Sequence, residues 1–93
     1  MTPPTYRVEL MGPARRSLAE RLPEAVAAAV LEFCAGPLAE NPGWVGKPLF
    51  GPLAGCHGAR RGTYRVVYRI DEQRRLVLVL DVADHRDIIY GHR

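Results

Sequence analysis

The sequence contains few cysteines, a single lysine and no long hydrophobic run. Its two cysteines, Cys34 and Cys56, have neither the spacing of a metal site nor that of a redox motif. No apolar stretch approaches the ~20 residues that a membrane-spanning helix needs, and the N-terminus does not have the pattern of a signal peptide. We therefore expect a cytoplasmic protein with reduced thiols, in which the cysteine of the alanine-rich segment, Cys34, is a small core residue.

Charges of both signs are present in similar numbers. Lys and Arg total 13 and Asp and Glu total 10, so the net charge of +3 is too small to establish a nucleic-acid partner. The distribution is less even, because residues 57–70 contain four arginines and no acid: Arg60, Arg61, Arg65 and Arg69. A strand that faces a polyanion has a use for this charge, whereas a strand that only packs against its neighbours does not. We interpret the segment as a phosphate-binding face, and a solvated basic strand is the alternative.

The composition is that of one small folded domain. The 93 residues are 47% apolar and 25% charged, and they show no internal repeat and no second domain. Alternation predicts a first strand over Tyr6–Met11. Apolar spacing then predicts a short amphipathic helix from Pro13 to Leu22, and a second helix from about Glu24 to Ala35 after Pro23. We expect the two helices to form a hairpin that covers one face of a sheet.

The middle of the chain is rich in proline and glycine. Residues 36–58 should therefore form turns, with at most a short helical extension near Leu38–Glu40. Apolar residues recur through this connection and are predicted to pin it onto the core; they are Leu38, Trp44, Val45, Leu49, Phe50 and Leu53. Two strands follow, Thr63–Ile70 and Leu76–Val82, and the unbroken apolar run of the second predicts a central strand buried on both faces. The fold class is α+β, with a mainly antiparallel twisted sheet of about four strands and an N-terminal helical hairpin on one face.

The arginines lie on a predicted β-hairpin. If Arg61 and Gly62 form its two-residue turn, Arg60 and Thr63 lie opposite each other and share a face of the sheet. Because side chains alternate along a strand, Arg65 and Arg69 follow Thr63 onto that face. Tyr64 and Tyr68 then take the other face and are predicted to be core residues.

Several fragments together resemble the RelE/ParE superfamily of bacterial toxins, and the RelE branch in particular. They are Asn41-Pro42, Gly46-Lys47-Pro48-Leu49, Leu53-Ala54-Gly55, the run from Arg60 to Ile70, and the ending Asp84-His85-Arg86-Asp87-Ile88-Ile89-Tyr90. The resemblance covers nearly the whole chain as a single domain, 1–93. It implies an endoribonuclease that cuts mRNA in the ribosomal A site and is held inactive by a cognate antitoxin. It implies no metal, no small-molecule cofactor and no membrane partner.

The resemblance also implies roles for individual residues. Arg65 matches an arginine that contacts the scissile phosphate, Arg60 matches a basic residue on the preceding strand, and Arg86 matches an arginine near the C-terminus. Tyr90 matches a tyrosine used for base stacking or for proton transfer. One family member carries a second lysine at the place of Gly58, so this chain departs from that pattern.

Arginine fits the stabilisation of a phosphate, but a guanidinium does not act as a general base. His85 is the candidate for the base or acid by its ordinary pKa of ~6.5, with a structural histidine as the alternative and Tyr90 next in line. Further residues are predicted to contact RNA: Arg61, Arg69, Lys47 and His57. For Lys47 and His57, a solvated surface position is the alternative.

Two other functions remain open at this stage. The ParE branch, whose members inhibit DNA gyrase, shares the strand from Tyr64 to Arg69 almost entirely, but it has no need of Arg86 and Tyr90 facing Arg65. A catalytically inactive module that only binds its antitoxin is the third possibility, and the absence of a cation at Gly58 is the feature in its favour. Codon-phased mRNA cuts, DNA breaks or unaffected growth would distinguish the three.

Overall fold

The computed structural model describes residues 5–84, and a five-stranded sheet is its central element. The strands are β1 (Arg7–Leu10), β2 (Lys47–Pro48), β3 (His57–Arg61), β4 (Tyr64–Asp71) and β5 (Leu76–Asp84). Their order across the sheet is β1-β5-β4-β3-β2, with β1 parallel to β5 and every other pair antiparallel. The predicted α+β class with a mainly antiparallel sheet is confirmed. The fifth strand is β2, which at two residues is too short to produce an alternating pattern in the sequence.

Prolines open most of the helices. The helices are α1 (Gly12–Arg16), which widens into a π-helical turn over Ser17–Arg21, then α2 (Glu24–Ala35), α3 (Pro37–Glu40) and α4 (Pro42–Val45). A proline in the first helical turn loses no hydrogen bond, because the first amide groups of a helix have no partner inside it. The predicted bounds of the second helix are confirmed. No helix within residues 5–84 is both long and apolar enough to cross a membrane.

The core lies between one face of the sheet and the helices. Val66 and Tyr68 of β4 are fully buried there, together with Val30 of α2 and Leu38 of α3. The prediction that Tyr64 and Tyr68 are core residues is confirmed. Cys34 is also buried in this cluster as predicted, and burial raises the pKa of its thiol to about 11.

The central strand is buried less completely than predicted. Val77 and Val79 of β5 are fully buried, whereas Leu78 and Leu80 are only half-buried. The helices pack against one face of the sheet, so alternate residues of β5 turn towards the side that the helices leave open.

The predicted turn of the arginine hairpin is wrong by one residue. The turn is Gly62–Thr63, with Arg61 opposite Tyr64 and Arg60 opposite Arg65. Two-residue hairpin turns need a positive φ at their first central residue, and Gly62 has φ +63°. The predicted turn would have required this conformation of Arg61, which a side chain with a Cβ disfavours.

The proline- and glycine-rich connection is only partly held by its apolar side chains. Leu38 is fully buried as predicted, but the prediction was wrong for Trp44 and Phe50, which are both 86% exposed. The backbone of this region is anchored instead by Pro42, which is buried and whose carbonyl accepts a hydrogen bond from the Tyr68 hydroxyl. The Trp44 side chain, two residues later, lies on the surface.

Candidate nucleic-acid interface

An open cleft of about 600 Å³ lies where α4 and β2 meet the hairpin of β3 and β4. Its lining combines three cationic side chains with one aromatic ring and a glycine-containing floor. The lining residues are Trp44, Val45, Gly46, Lys47, Pro48, Leu49, Gly58, Arg60 and Arg65. Three of the predicted site residues, Lys47, Arg60 and Arg65, therefore converge on one concave surface.

Arg60 and Arg65 form the cationic centre of the cleft. They are directly opposed across β3 and β4, which places their Cβ atoms about 4.5–5.5 Å apart on the same face of the sheet. Two like charges in this arrangement destabilise a sheet. Within residues 5–83 neither guanidinium has a carboxylate partner, because the ion pairs there join Arg7 to Glu9 and link residues of the β4–β5 turn. The pair therefore presents uncompensated positive charge to the cleft.

Lys47 adds a third cation from β2. Lys47 pairs in register with Gly58 of β3. Arg60 lies two residues after Gly58 on β3, so the side chains of Lys47 and Arg60 project from the same face of the sheet. A Cβ at Gly58 would lie 3.1 Å from Cδ2 of Leu49, a contact tighter than ordinary packing. The glycine thus makes room for Leu49, and the cation on this wall comes from the adjacent strand.

A close backbone contact holds α4 and β2 against the hairpin. The hydroxyl of Tyr68 donates a hydrogen bond to the carbonyl of Pro42, and burial raises the pKa of this phenol to about 12. Gly46 lies beside the same hydroxyl, and a Cβ there would also come within 2.8 Å of the Gly58 carbonyl oxygen. Its backbone is extended, at φ −137° and ψ −178°, a conformation that any residue adopts. Gly46 is therefore required by space alone.

Other predicted RNA contacts lie away from the cleft. The Arg61 guanidinium lies over the ring of Phe33, 4.8 Å from its centroid, towards the helices. His57 stacks on Tyr68 with ring centroids 5.6 Å apart, on the core face, and its buried Nδ1 has no hydrogen-bond partner in the part of the chain that the structure describes. Arg69 approaches the Cys56 sulfur at 3.8 Å and does not line the cleft.

The C-terminal candidates cannot be placed against this cleft. His85, Arg86 and Tyr90 lie outside the described residues, so their predicted catalytic roles stay predictions.

Trp44 is the cleft residue whose role the sequence analysis missed. It was predicted to pack on the core, but it is exposed at the rim beside the three cations. No local signal in the sequence marks this exposure, because the turn that carries Trp44 is anchored by the contact between Pro42 and the distant Tyr68.

Comparison with known proteins finds similarity along most of the chain. A family model described as the ParE toxin of type II toxin–antitoxin systems, parDE, matches residues 10–89. The protein named Toxin RelE of Mycobacterium tuberculosis is 50% identical over 78 residues, covering 84% of this chain and 79% of that protein. Toxin RelG of the same organism is 51% identical over 85 residues, covering 91% of this chain and 95% of that protein.

The fold has a close match among solved structures. A chain in the crystal structure of the toxin–antitoxin complex RelBE2 from Mycobacterium tuberculosis aligns with a TM-score of 0.82 and 48% identity. The alignment covers 86% of this chain and 98% of the matched chain. Sequence and fold agree, and this chain therefore belongs to the RelE/ParE family of toxins of type II toxin–antitoxin systems.

Proposed function

We propose that this toxin is an endoribonuclease that cleaves mRNA on the ribosome and so stops translation. The observation that carries the proposal is the opposed pair of Arg60 and Arg65 on the wall of an open cleft, without a counter-charge in residues 5–83. Such a pair lowers the stability of the sheet. A protein gains from keeping it where a phosphate bridges the two guanidinium groups.

The cleft chemistry fits attack by the ribose 2′-oxygen on the adjacent phosphorus. In this reaction the 2′-oxygen bonds to phosphorus, its proton passes to a base, the bond from phosphorus to the 5′-oxygen breaks, and that oxygen receives a proton. Arg60 and Arg65 would stabilise the pentacoordinate phosphorane through paired N–H donors. Removal of one such donor typically costs about 2.7–4 kcal/mol of transition-state stabilisation.

The lining of the cleft supports cleavage without a metal ion. Its charged side chains within residues 5–83 are those of Lys47, Arg60 and Arg65, and no carboxylate of that range lines it. Divalent cations such as Mg²⁺ take oxygen ligands, mainly carboxylates and water, and three nearby positive charges repel them. Since guanidinium groups do not act as bases, His85 and Tyr90 are our candidates for proton transfer.

We further propose a cognate antitoxin as the protein partner. The solved relative is a toxin–antitoxin complex, and an acidic or amphipathic segment would neutralise the exposed cations of the cleft described here. Binding of this segment would exclude RNA by competition for the same charges.

Controlled expression of the toxin tests the proposed function. Wild type is expected to arrest growth and to produce mRNA ends phased with codons, whereas Arg65→Gln should do neither. Arg74→Gln is the matched control, because Arg74 lies in the β4–β5 turn at the far end of the hairpin, in an exposed 3.8 Å ion pair with Asp71, and should arrest growth like wild type.

Two results would contradict the proposal. Gyrase-dependent DNA breaks without mRNA cuts would assign the toxin to the ParE type of activity. The matched family model carries the name of the ParE toxin. Normal growth with a folded wild-type protein would indicate a module that only binds its antitoxin.

A further inference from the structure

The exposed tryptophan of the cleft has no structural role within residues 5–84. Trp44 is 86% exposed, although a tryptophan contributes most to stability when its large apolar surface is buried. The two arginine–ring contacts among the described residues are Arg61 with Phe33 and Arg75 with Tyr6. Neither involves the indole, so its faces are open to a ligand.

Hydrogen bonds hold the backbone that carries Trp44. The amides of Trp44 and Val45 donate hydrogen bonds of 3.0 and 3.1 Å to the carbonyl of Asn41. Pro42 is buried, and its carbonyl accepts the hydroxyl proton of Tyr68 in the sheet. An aromatic ring on an anchored turn is better suited to stacking than one on a mobile loop, because less conformational entropy is lost on binding.

The ring and the cations line the same cleft. Trp44, Lys47, Arg60 and Arg65 all contribute to its lining. Proteins that hold single-stranded nucleic acid combine these two elements, a positive groove for the backbone and aromatic rings for the bases. RNA-binding proteins likewise stack unpaired bases on aromatic side chains.

We propose that Trp44 is a stacking platform for an unpaired RNA base, next to the phosphate that Arg60 and Arg65 hold. The ligand class is a single-stranded RNA segment with at least one base free to leave its own stack. The inference rests on the proposed ribonuclease function and extends it, because it assigns base binding to a residue outside the arginine pair and outside the C-terminal segment.

The chain itself supplies a specific probe. Trp44 is its single tryptophan, so fluorescence excited at the red edge of the tryptophan band, where the tyrosines absorb little, reports on this position only. A short 2′-O-methyl RNA binds without being cut, because its blocked 2′-oxygen cannot attack phosphorus. We expect this RNA to quench the fluorescence of the purified toxin in a saturable way, whereas the abasic sugar–phosphate chain and tripolyphosphate should not quench it.

Variants measure the size of the contribution. With a dye-labelled 2′-O-methyl RNA followed by anisotropy, Trp44→Leu is expected to weaken binding about 5- to 150-fold, the range for loss of one base stack. Trp44→Phe should retain most of the affinity. Phe50→Leu is the matched control, because Phe50 is equally exposed but does not line the cleft; it should bind like wild type.

The outcomes separate this inference from the function on which it rests. If Arg65→Gln abolishes RNA binding and cleavage while Trp44→Leu leaves both unchanged, stacking is wrong and the ribonuclease stands. If Trp44→Leu binds RNA normally but loses affinity for the antitoxin, Trp44 belongs to a protein-binding surface and the inference fails. If wild type binds no free RNA but still produces codon-phased mRNA ends in cells, the stacking inference fails and the proposed function stands; if it produces neither, both fail.

Discussion

Substitution of Gly46 by alanine tests the packing that shapes the cleft. The added Cβ would lie 2.8 Å from the carbonyl oxygen of Gly58, 3.1 Å from its carbonyl carbon, and closer still to the hydroxyl of Tyr68. Backbone atoms on one side and a buried phenol on the other leave no flexible group to give way. To relieve both contacts, β2 must separate from β3 and the hydrogen bond from Tyr68 to Pro42 must break.

The magnitude follows from these two contacts. Overpacking of a tight site costs about 1–3 kcal/mol, and loss of a buried hydrogen bond adds about 1 kcal/mol. We therefore expect Gly46→Ala to lower the free energy of unfolding by about 2–4 kcal/mol. The same displacement would move α4 and Trp44 relative to Arg60, so affinity for RNA should fall together with stability.

Urea unfolding followed by far-UV circular dichroism measures the effect. Tryptophan fluorescence is a poor signal for unfolding in this protein, because Trp44 is already exposed in the folded state. Gly43→Ala is the matched control: Gly43 lies in α4, its φ is not among the positive values, and a Cβ there would meet nothing within 4 Å. Alanine at that position should leave stability unchanged or raise it by about 0.4–1 kcal/mol. Equal urea midpoints for Gly46→Ala and wild type would refute the packing argument.

Two further predictions concern Tyr68 and Arg65. Tyr68→Phe leaves the Pro42 carbonyl without its donor and should lower the free energy of unfolding by about 1–3 kcal/mol near pH 8. The pKa of Tyr68 is raised from 10.0 to about 12 in the folded state, so the contribution of this phenol to the free energy of unfolding is present below pH ~10 and is lost as the pH rises towards 12. Urea midpoints measured through this window should therefore fall less for Tyr68→Phe than for wild type. Parallel curves for the two proteins would contradict the assignment. Arg65→Gln removes one of two opposed like charges and should raise the free energy of unfolding by about 0.2–1 kcal/mol at low salt, with a smaller gain in 1 M NaCl. A destabilised Arg65→Gln protein would instead assign Arg65 a structural role.

The elements that local signals define were predictable from the sequence. Helix α2 runs from Glu24 to Ala35 as predicted, because Pro23 before it and Gly36 after it bracket an apolar stretch that has no other breaker. The α+β class followed in the same way from alternation in the strands and helical spacing near the N-terminus. Each of these predictions depends on residue types and spacings within a short stretch of sequence.

The register of the hairpin required more than local pattern. Arg61–Gly62 and Gly62–Thr63 both contain the glycine of a two-residue turn, and the choice between them depends on which central residue takes the positive φ. In the structure Gly62 is the first central residue. The shift by one residue turns Arg61 away to Phe33 and brings Arg60 opposite Arg65, so it decides which arginines form the cationic centre.

The exposure of Trp44 was not predictable from its neighbours in sequence. The anchor of its turn is the hydrogen bond from Tyr68 to Pro42, which joins residues 26 positions apart. Sequence composition identified an apolar residue in a long connection, and the usual place for such a residue is the core. Only the tertiary contact shows that Pro42 occupies that place and that the indole remains at the rim of the cleft.

The glycines of the cleft explain how its cations are arranged. Gly46 allows β2 to approach the Gly58 carbonyl, and Gly58 in turn leaves space for the side chain of Leu49. A lysine at position 58, the residue that one family member carries there, would place its Cβ 3.1 Å from Cδ2 of Leu49 and would need that side chain to shift. The register pairing of Lys47 with Gly58 places a cation beside this position from the neighbouring strand. Although Gly58 carries no charge, the cleft still has a cation at this wall, because Lys47 supplies it from the adjacent strand.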